Sequence, residues 1–266
     1  MAAHFVTCKL YGGLGNQLFQ IFATIAYSIE HNIDFLFEYS ANLGKRRTYW
    51  DTLLLSISDH VITSIPPTTL VNQGTHGFVE LPEPKENITL NGYFQSFKFF
   101  DHHLKTILKM LDVEKIQKKY SFQQNSISLH FRRGDYKDLP DCHPIMGIDY
   151  YANALNYILL LDECPFTVYY YCEEEDLESV EKDVATLKNE FRDKTVFVRH
   201  LEETDWEEML SMSCCKHHII ANSSFSWWGA YLNQNSEKIV CYPSVWFGPL
   251  IHENTDSMFP EKWIKI

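Results

Sequence analysis

Two adjacent arginines, Arg132 and Arg133, sit in the stretch HFRRGDY, which runs from His130 to Tyr136. A guanidinium is a planar fork whose N–H groups match a pair of phosphate oxygens, so the stretch suits a phosphate. Gly134 lets the backbone approach a ligand or turn sharply, and Asp135 either orients an arginine or accepts from a ligand hydroxyl. The competing reading is an ordinary loop ion pair. A second stretch, NSSFSWWGA, offers the hydroxyls of Ser223, Ser224 and Ser226. With the free amides of a helix amino terminus they make a second phosphate cradle; the plain alternative is a serine cap. Of the neighbouring Trp227 and Trp228, one is expected to face a crevice or another domain. A third stretch, YGGLGNQ, is glycine-rich. There Gly13 and Gly15 open the backbone to an anion, and Asn16 is expected to cap a helix and face the crevice.

The glycine spacing Gly13-x-Gly15-x-x-Leu18 lacks the third glycine of the dinucleotide fingerprint. Glu38 nevertheless stands where that fingerprint wants its ribose-binding acid, so a nicotinamide-dependent oxidoreductase is an alternative. No Asp-x-Asp occurs, and no metal site is expected.

These stretches need strand ends to hold them. Phe5–Leu10 is expected to be a strand feeding the glycine turn. A helix with apolar residues at Leu18, Phe19, Phe22, Ile25, Ala26 and Ile29 follows, then a strand over Ile33–Phe37. The proline-marked segment from Tyr39 to Glu86 is read as connecting loops, Ile88–Tyr93 as a strand, and Asp101–Lys119 as one helix. In the second half strands are expected at Ser126–His130, Phe166–Cys172, Thr195–His200, His217–Ala221 and Lys238–Tyr242. Helices are expected over Asp149–Leu161, Glu175–Phe191, from Thr204 by a capping box with Glu207, and after Ser226. Such alternation predicts α/β architecture with parallel sheets, whose strand ends gather the arginine and serine stretches on one rim. Two domains are expected, 1–120 and 121–250, with 251–266 packing back on the first.

Of 266 residues, 45% are hydrophobic and 15% aromatic, enough for real cores and for aromatic platforms. The net charge of −12 argues against a nucleic-acid partner and requires any phosphate site to be a local basic pocket. Seven scattered cysteines without a CxxC argue for a reduced, cytoplasmic setting. Neither a signal peptide nor a membrane-spanning run is recognised, so a soluble protein is expected.

Taken in order, YGGLGNQLFQ, HFRRGDY and NSSFSWWGAYL resemble the α-1,2-fucosyltransferase family. At the arginine stretch they are also similar to the α-1,6- and protein O-fucosyltransferases. The resemblance implies a GT-B fold, two Rossmann-like domains facing a cleft, with the first on the acceptor side and the second holding GDP-fucose. It implies inverting, metal-independent transfer of L-fucose to a hydroxyl of a galactose-containing or other glycan, with no cofactor. It makes Arg132 the β-phosphate ligand, Arg133 a supporting charge, His130 a guanine or phosphate contact and Asp135 the residue ordering the loop. Asn16 would reach phosphate or fucose, Ser223, Ser224 and Ser226 would hold phosphate oxygens, and Glu208 would read guanine N1 and N2. The acceptor's base stays open among His143, Asp138 and Asp141. A non-catalytic nucleotide-sugar-binding module is the remaining alternative.

Overall fold

The computed structural model describes residues 4–121 and 124–266. They form two units, one running up to Ile116 with Glu253–Pro260, the other comprising Gln117–His252 with Glu261–Ile266. The carboxyl-terminal stretch, expected to dock whole on the first half, is thus divided between them.

The first unit contains β1 (Phe5–Cys8), α1 (Leu14–His31), β2 (Asp34–Phe35), β3 (Phe37–Glu38), β4 (Asn42–Leu43), β5 (Arg46–Arg47), β6 (Val61–Ile62), β7 (Thr69–Asn72) and β8 (Ile88–Asn91). Parallel pairing gives the sheet order β2-β1-β8-β7. Helix α1 buries Leu18, Phe19, Ile21, Phe22 and Ile25 to 2% exposure or less, and Asn32 ends it in the left-handed conformation. The strand expected over Ile33–Phe37 is split. Asp34–Phe35 pairs with β1, whereas Phe37–Glu38 pairs with β6 in a separate two-stranded sheet. Glu38 therefore leaves the βαβ unit in which a ribose-binding acid belongs, and the dinucleotide reading loses its acid.

The single helix expected over Asp101–Lys119 is also broken, into α2 (Leu104–Met110) and α3 (Val113–Gln117), with Asp112 between them at φ 52°. Leu111 and Val113 are 1% and 2% exposed. An aspartate in the left-handed conformation interrupts the helical backbone there, and the turn leaves the apolar residues on either side of it buried.

The second unit runs β9 (Ser126–His130), α4 (Ile148–Leu161), β10 (Phe166–Tyr171), α5 (Leu177–Glu190), β11 (Thr195–Arg199), α6 (Asp205–Ser213), β12 (His217–Ile219), α7 (Ser224–Tyr231), β13 (Val240–Tyr242) and β14 (Ile264–Lys265). All six strands are parallel, in the order β11-β10-β9-β12-β13-β14. Ile127 and Leu129 of β9 and Val168 of β10 pack with Leu155 and Ile158 of α4 and Val180, Val184 and Leu187 of α5. From β9 the chain winds outward to β10 and β11, then returns to the other side for β12. The switch point, where an open parallel sheet leaves a crevice at its carboxyl edge, lies between β9 and β12.

No helix among the described residues is long and apolar enough to cross a membrane.

Candidate active site

Both expected phosphate stretches leave the second sheet at that switch point. HFRRGDY follows β9 and NSSFSWW follows β12. They touch: the ring of His130 lies 5.5 Å from that of Phe225, and the Tyr136 hydroxyl donates to the Asn222 carbonyl at 3.0 Å. Burial and the Arg132 charge push the His130 imidazole down to about 3, so it is neutral at any working pH. Its Nδ1 is buried without a hydrogen-bond partner. An orphaned nitrogen of this kind asks for an explanation, and a ligand donor supplies one.

The arginines part ways. Arg132 donates through Nη1 to Glu173 and through Nη2 to Asp135, and its guanidinium lies over the Tyr136 ring, 4.9 Å from the centroid. These two bonds use two of the five guanidinium donors, so the fork is oriented rather than consumed. Arg133 turns instead to α5, donating to Ser179 Oγ at 2.6 Å and to Asp183. Expected as a supporting charge, it acts here as an anchor between the loop and a helix. Gly134 has φ 32°, and a Cβ there would meet the Glu173 carboxylate at 2.5 Å, so the loop needs glycine. Asp176, 1% exposed, accepts from the Gly134 N–H at 2.7 Å and from Lys137, fixing the loop from β10's carboxyl end. Sequence reasoning missed Glu173 and Asp176; their signal was a run of four acids, 173–176, just after a buried strand.

On the serine side, Ser223 is the N-cap of α7, its hydroxyl accepting from the Phe225 N–H at 3.3 Å. Ser224 is half-buried. Ser226 is 2% exposed, and its hydroxyl donates back to the Ser223 carbonyl at 3.5 Å, which turns it toward the helix interior. Asn222 donates to the carbonyls of Pro144 and Trp246 at 2.9 and 3.2 Å, while its Oδ1 is buried without a partner. Neither tryptophan is a crevice wall. Trp227 and Trp228 are 0% exposed; Trp227 stacks on Tyr231 at 4.5 Å and meets Trp263 at 5.4 Å. Their bulk fills the core beneath α7, which outweighs any exposure at the rim.

Glu208 lies on α6, half-buried, within electrostatic reach of Tyr171 and Cys172 at the end of β10. Burial raises its carboxyl to about 7; the nearby Asp205 and Glu202 charges add to the rise, and the Glu202 backbone N–H opposes it. The helix start differs from the expected capping box, because the Thr204 hydroxyl donates to Glu207 at 2.7 Å instead of accepting from the helix backbone.

In the first unit the glycine stretch is shaped by residues not singled out. Gly12, at φ 73°, makes the turn that only glycine takes readily. Gly13 is the N-cap of α1 without a side-chain cap bond, and Gly15 is buried in the first turn. Asn16 is therefore not the cap; its Oδ1 accepts from Gln95 Nε2 at 2.8 Å. Gln17, 0% exposed, donates to the carbonyls of Gly12 and Arg47 at 3.0 and 2.8 Å. Gln20 accepts from the Tyr11 N–H at 2.8 Å. Two amides at i and i+3 on a buried helix, continued by Thr24 and Ser28, were the readable sign of this clamp.

An α-1,2-colitosyltransferase of Escherichia coli is 29% identical over 293 residues, covering 98% of this chain and 98% of the relative. A galactoside 2-α-L-fucosyltransferase of Caenorhabditis elegans is 24% identical, covering 96% of this chain and 77% of the relative. Among solved structures, the fucosyltransferase NodZ from Bradyrhizobium superposes with a TM-score of 0.54 at 10% identity, covering 87% of this chain and 94% of that one. That likeness concerns the fold, which is GT-B. The sequence model of Glycosyl transferase family 11 matches residues 73–266, so the chain belongs to that family and is a glycosyltransferase.

Proposed function

We propose that the chain transfers L-fucose from GDP-fucose to a hydroxyl of a galactose-containing glycan, with inversion, forming an α-1,2 linkage without a metal. The observation that carries this reading is the meeting of the arginine and serine stretches at the switch point of the second sheet, beside an unpartnered imidazole nitrogen. Family membership supports it, as does the name of the 24%-identical galactoside 2-α-L-fucosyltransferase.

When the C1–O bond of the donor breaks, its electron pair moves to a β-phosphate oxygen and the sugar gains oxocarbenium character. Donors fixed beforehand at that oxygen stabilise the leaving group most. Arg132, oriented by Glu173, Asp135 and Tyr136, takes this role. His130 presents its unpartnered nitrogen to the nucleotide, and the Ser223–Ser224 turn presents amides to phosphate oxygens. The Glu208 carboxylate accepts from guanine N1 and N2.

One incubation tests the reading. Given GDP-fucose, a β-galactoside and EDTA, the protein is expected to release GDP and yield an α-1,2-fucosylated product at the rate seen without chelator. A collapse of the rate in EDTA overturns the metal-free mechanism. Melting is expected to rise with GDP and to stay unchanged with NAD(H). The reverse pattern restores the oxidoreductase alternative, and GDP binding without release from any acceptor mixture leaves a binding module. The 29%-identical colitosyltransferase makes the donor sugar worth varying in the same assay.

The Glu208 assignment has a pH signature. A carboxyl near 7 accepts from guanine only when ionised, and its ionised fraction falls about tenfold from pH 8 to pH 6. GDP affinity is therefore expected to weaken over that interval by about tenfold more in the native protein than in Glu208→Gln. Calorimetry on both proteins checks this, since phosphate protonation affects the two alike. Parallel pH profiles remove Glu208 from the base site.

A further inference from the structure

The carboxyl edge of the first sheet carries a cluster that the donor chemistry does not use. In the order β2-β1-β8-β7 the chain goes from β1 to β2 on one side and later to β7 and β8 on the other, so this sheet too has a switch point, between β1 and β8. A hydrogen bond spans it: the Tyr11 hydroxyl, just beyond β1, donates to Asn91 Oδ1 at the end of β8 at 2.6 Å. Asn91 passes the chain on, donating to Asn72 Oδ1 at the end of β7 at 2.6 Å. The rings of Tyr11 and Tyr93 are each 37% exposed with centroids 6.1 Å apart, and His76 stacks on Tyr93 at 5.3 Å. Glu253 meets His76 Nδ1 at 3.2 Å and accepts from its backbone N–H at 3.2 Å.

The loop that presents Tyr93 is held against a backbone preference. Phe94 is fully buried at φ 52°, a conformation unfavourable for a bulky L-residue that persists where the surroundings impose it. Gln73 imposes it: its Oε1 accepts from the Phe94 N–H at 2.8 Å, and its side chain lies 2.5 Å from where a Cβ on Gly92 would be. With Phe94 fixed inward, Tyr93 stays at the surface.

From this arrangement we infer that the first unit holds the terminal galactoside of the acceptor on the Tyr11–Tyr93 platform, with Asn91 and Asn72 reading ring hydroxyls and Glu253 available to a further one. The inference rests on the galactoside transfer proposed above. Galactose suits the site because its C3, C4 and C5 hydrogens form an apolar patch on one face while its axial 4-hydroxyl projects from the other. An exposed aromatic covers such a patch, and side-chain amides both donate to and accept from hydroxyls. A phosphate would want cations here, and the group that His76 faces is instead the Glu253 carboxylate.

The test uses the full chain. Tyr93→Ala and Asn72→Ala are each expected to raise the KM for lactose about tenfold while the KM for GDP-fucose moves less than about twofold. In the native protein without donor, saturation-transfer NMR is expected to show methyl β-galactoside contacting aromatic protons, with the signal lost in Tyr93→Ala. Unchanged lactose KM in both variants, or equal rises in both KM values, overturns the site. A galactoside NMR signal that survives Tyr93→Ala does so too. If GDP neither binds nor is released, the donor reading fails, and the NMR comparison still decides this one.

Discussion

Arg132→Ala is expected to lower kcat/KM by at least ~100-fold, the size of loss that follows removal of one preorganised donor to a developing oxyanion. The argument depends on the loss being chemical and not structural. The two carboxylates that hold Arg132, on Asp135 and Glu173, are 49% and 46% exposed. Arg132 is 16% exposed, but water can solvate both carboxylates once it is gone, so no buried charge is left unpaired. The melting temperature should therefore move by no more than a few degrees while turnover collapses. Arg132→Lys keeps the charge but loses the planar fork, and is expected to recover only a small part of the rate. A variant with an alanine here and near-normal turnover would remove the centre of the proposed site.

Trp227→Ala is expected to destabilise the second unit by about 3–5 kcal/mol, the range for truncating a large aromatic in a core. Trp227 is 0% exposed, stacked on Tyr231 and bounded by Trp228 and Trp263. The side chain also carries no proposed ligand contact, so GDP affinity measured well below the melting temperature should change little. Urea unfolding followed by circular dichroism gives the comparison. A loss under ~1 kcal/mol coupled to weakened GDP binding would reverse the assignment and return this tryptophan to the ligand.

The second half of the fold was legible where its strands are central and its helices long, as at β9, β10, α4 and α5. Ser126–His130 is a strand as expected, buried at every position, and α4 begins one residue before the expected Asp149. The first half was less so. Short strands such as β2 and β3 have two residues each, too few for alternation to reveal which sheet they join. Of the site, the residues at the switch point were readable from type and spacing. Their partners were not: Asp176 meets Gly134 across 42 residues, and Asp183 meets Arg133 across 50. Linear spacing carries no record of contacts that distant. The tryptophans misled because adjacency in sequence does not say which side of a helix packs against the core, and here the tail supplied Trp263 to close that side.

The way the last residues divide between the units has a practical consequence for exchanging parts among related transferases. Strand β14 completes the second sheet by pairing with β13, yet the chain first lends residues 253–260 to the first unit. A hybrid joined once, after residue 116, would keep the second sheet whole but leave the first unit with residues 253–260 from the other parent. Exchanging the second unit without them requires three junctions, so that 261–266 travel with 117–252 and 253–260 stay behind.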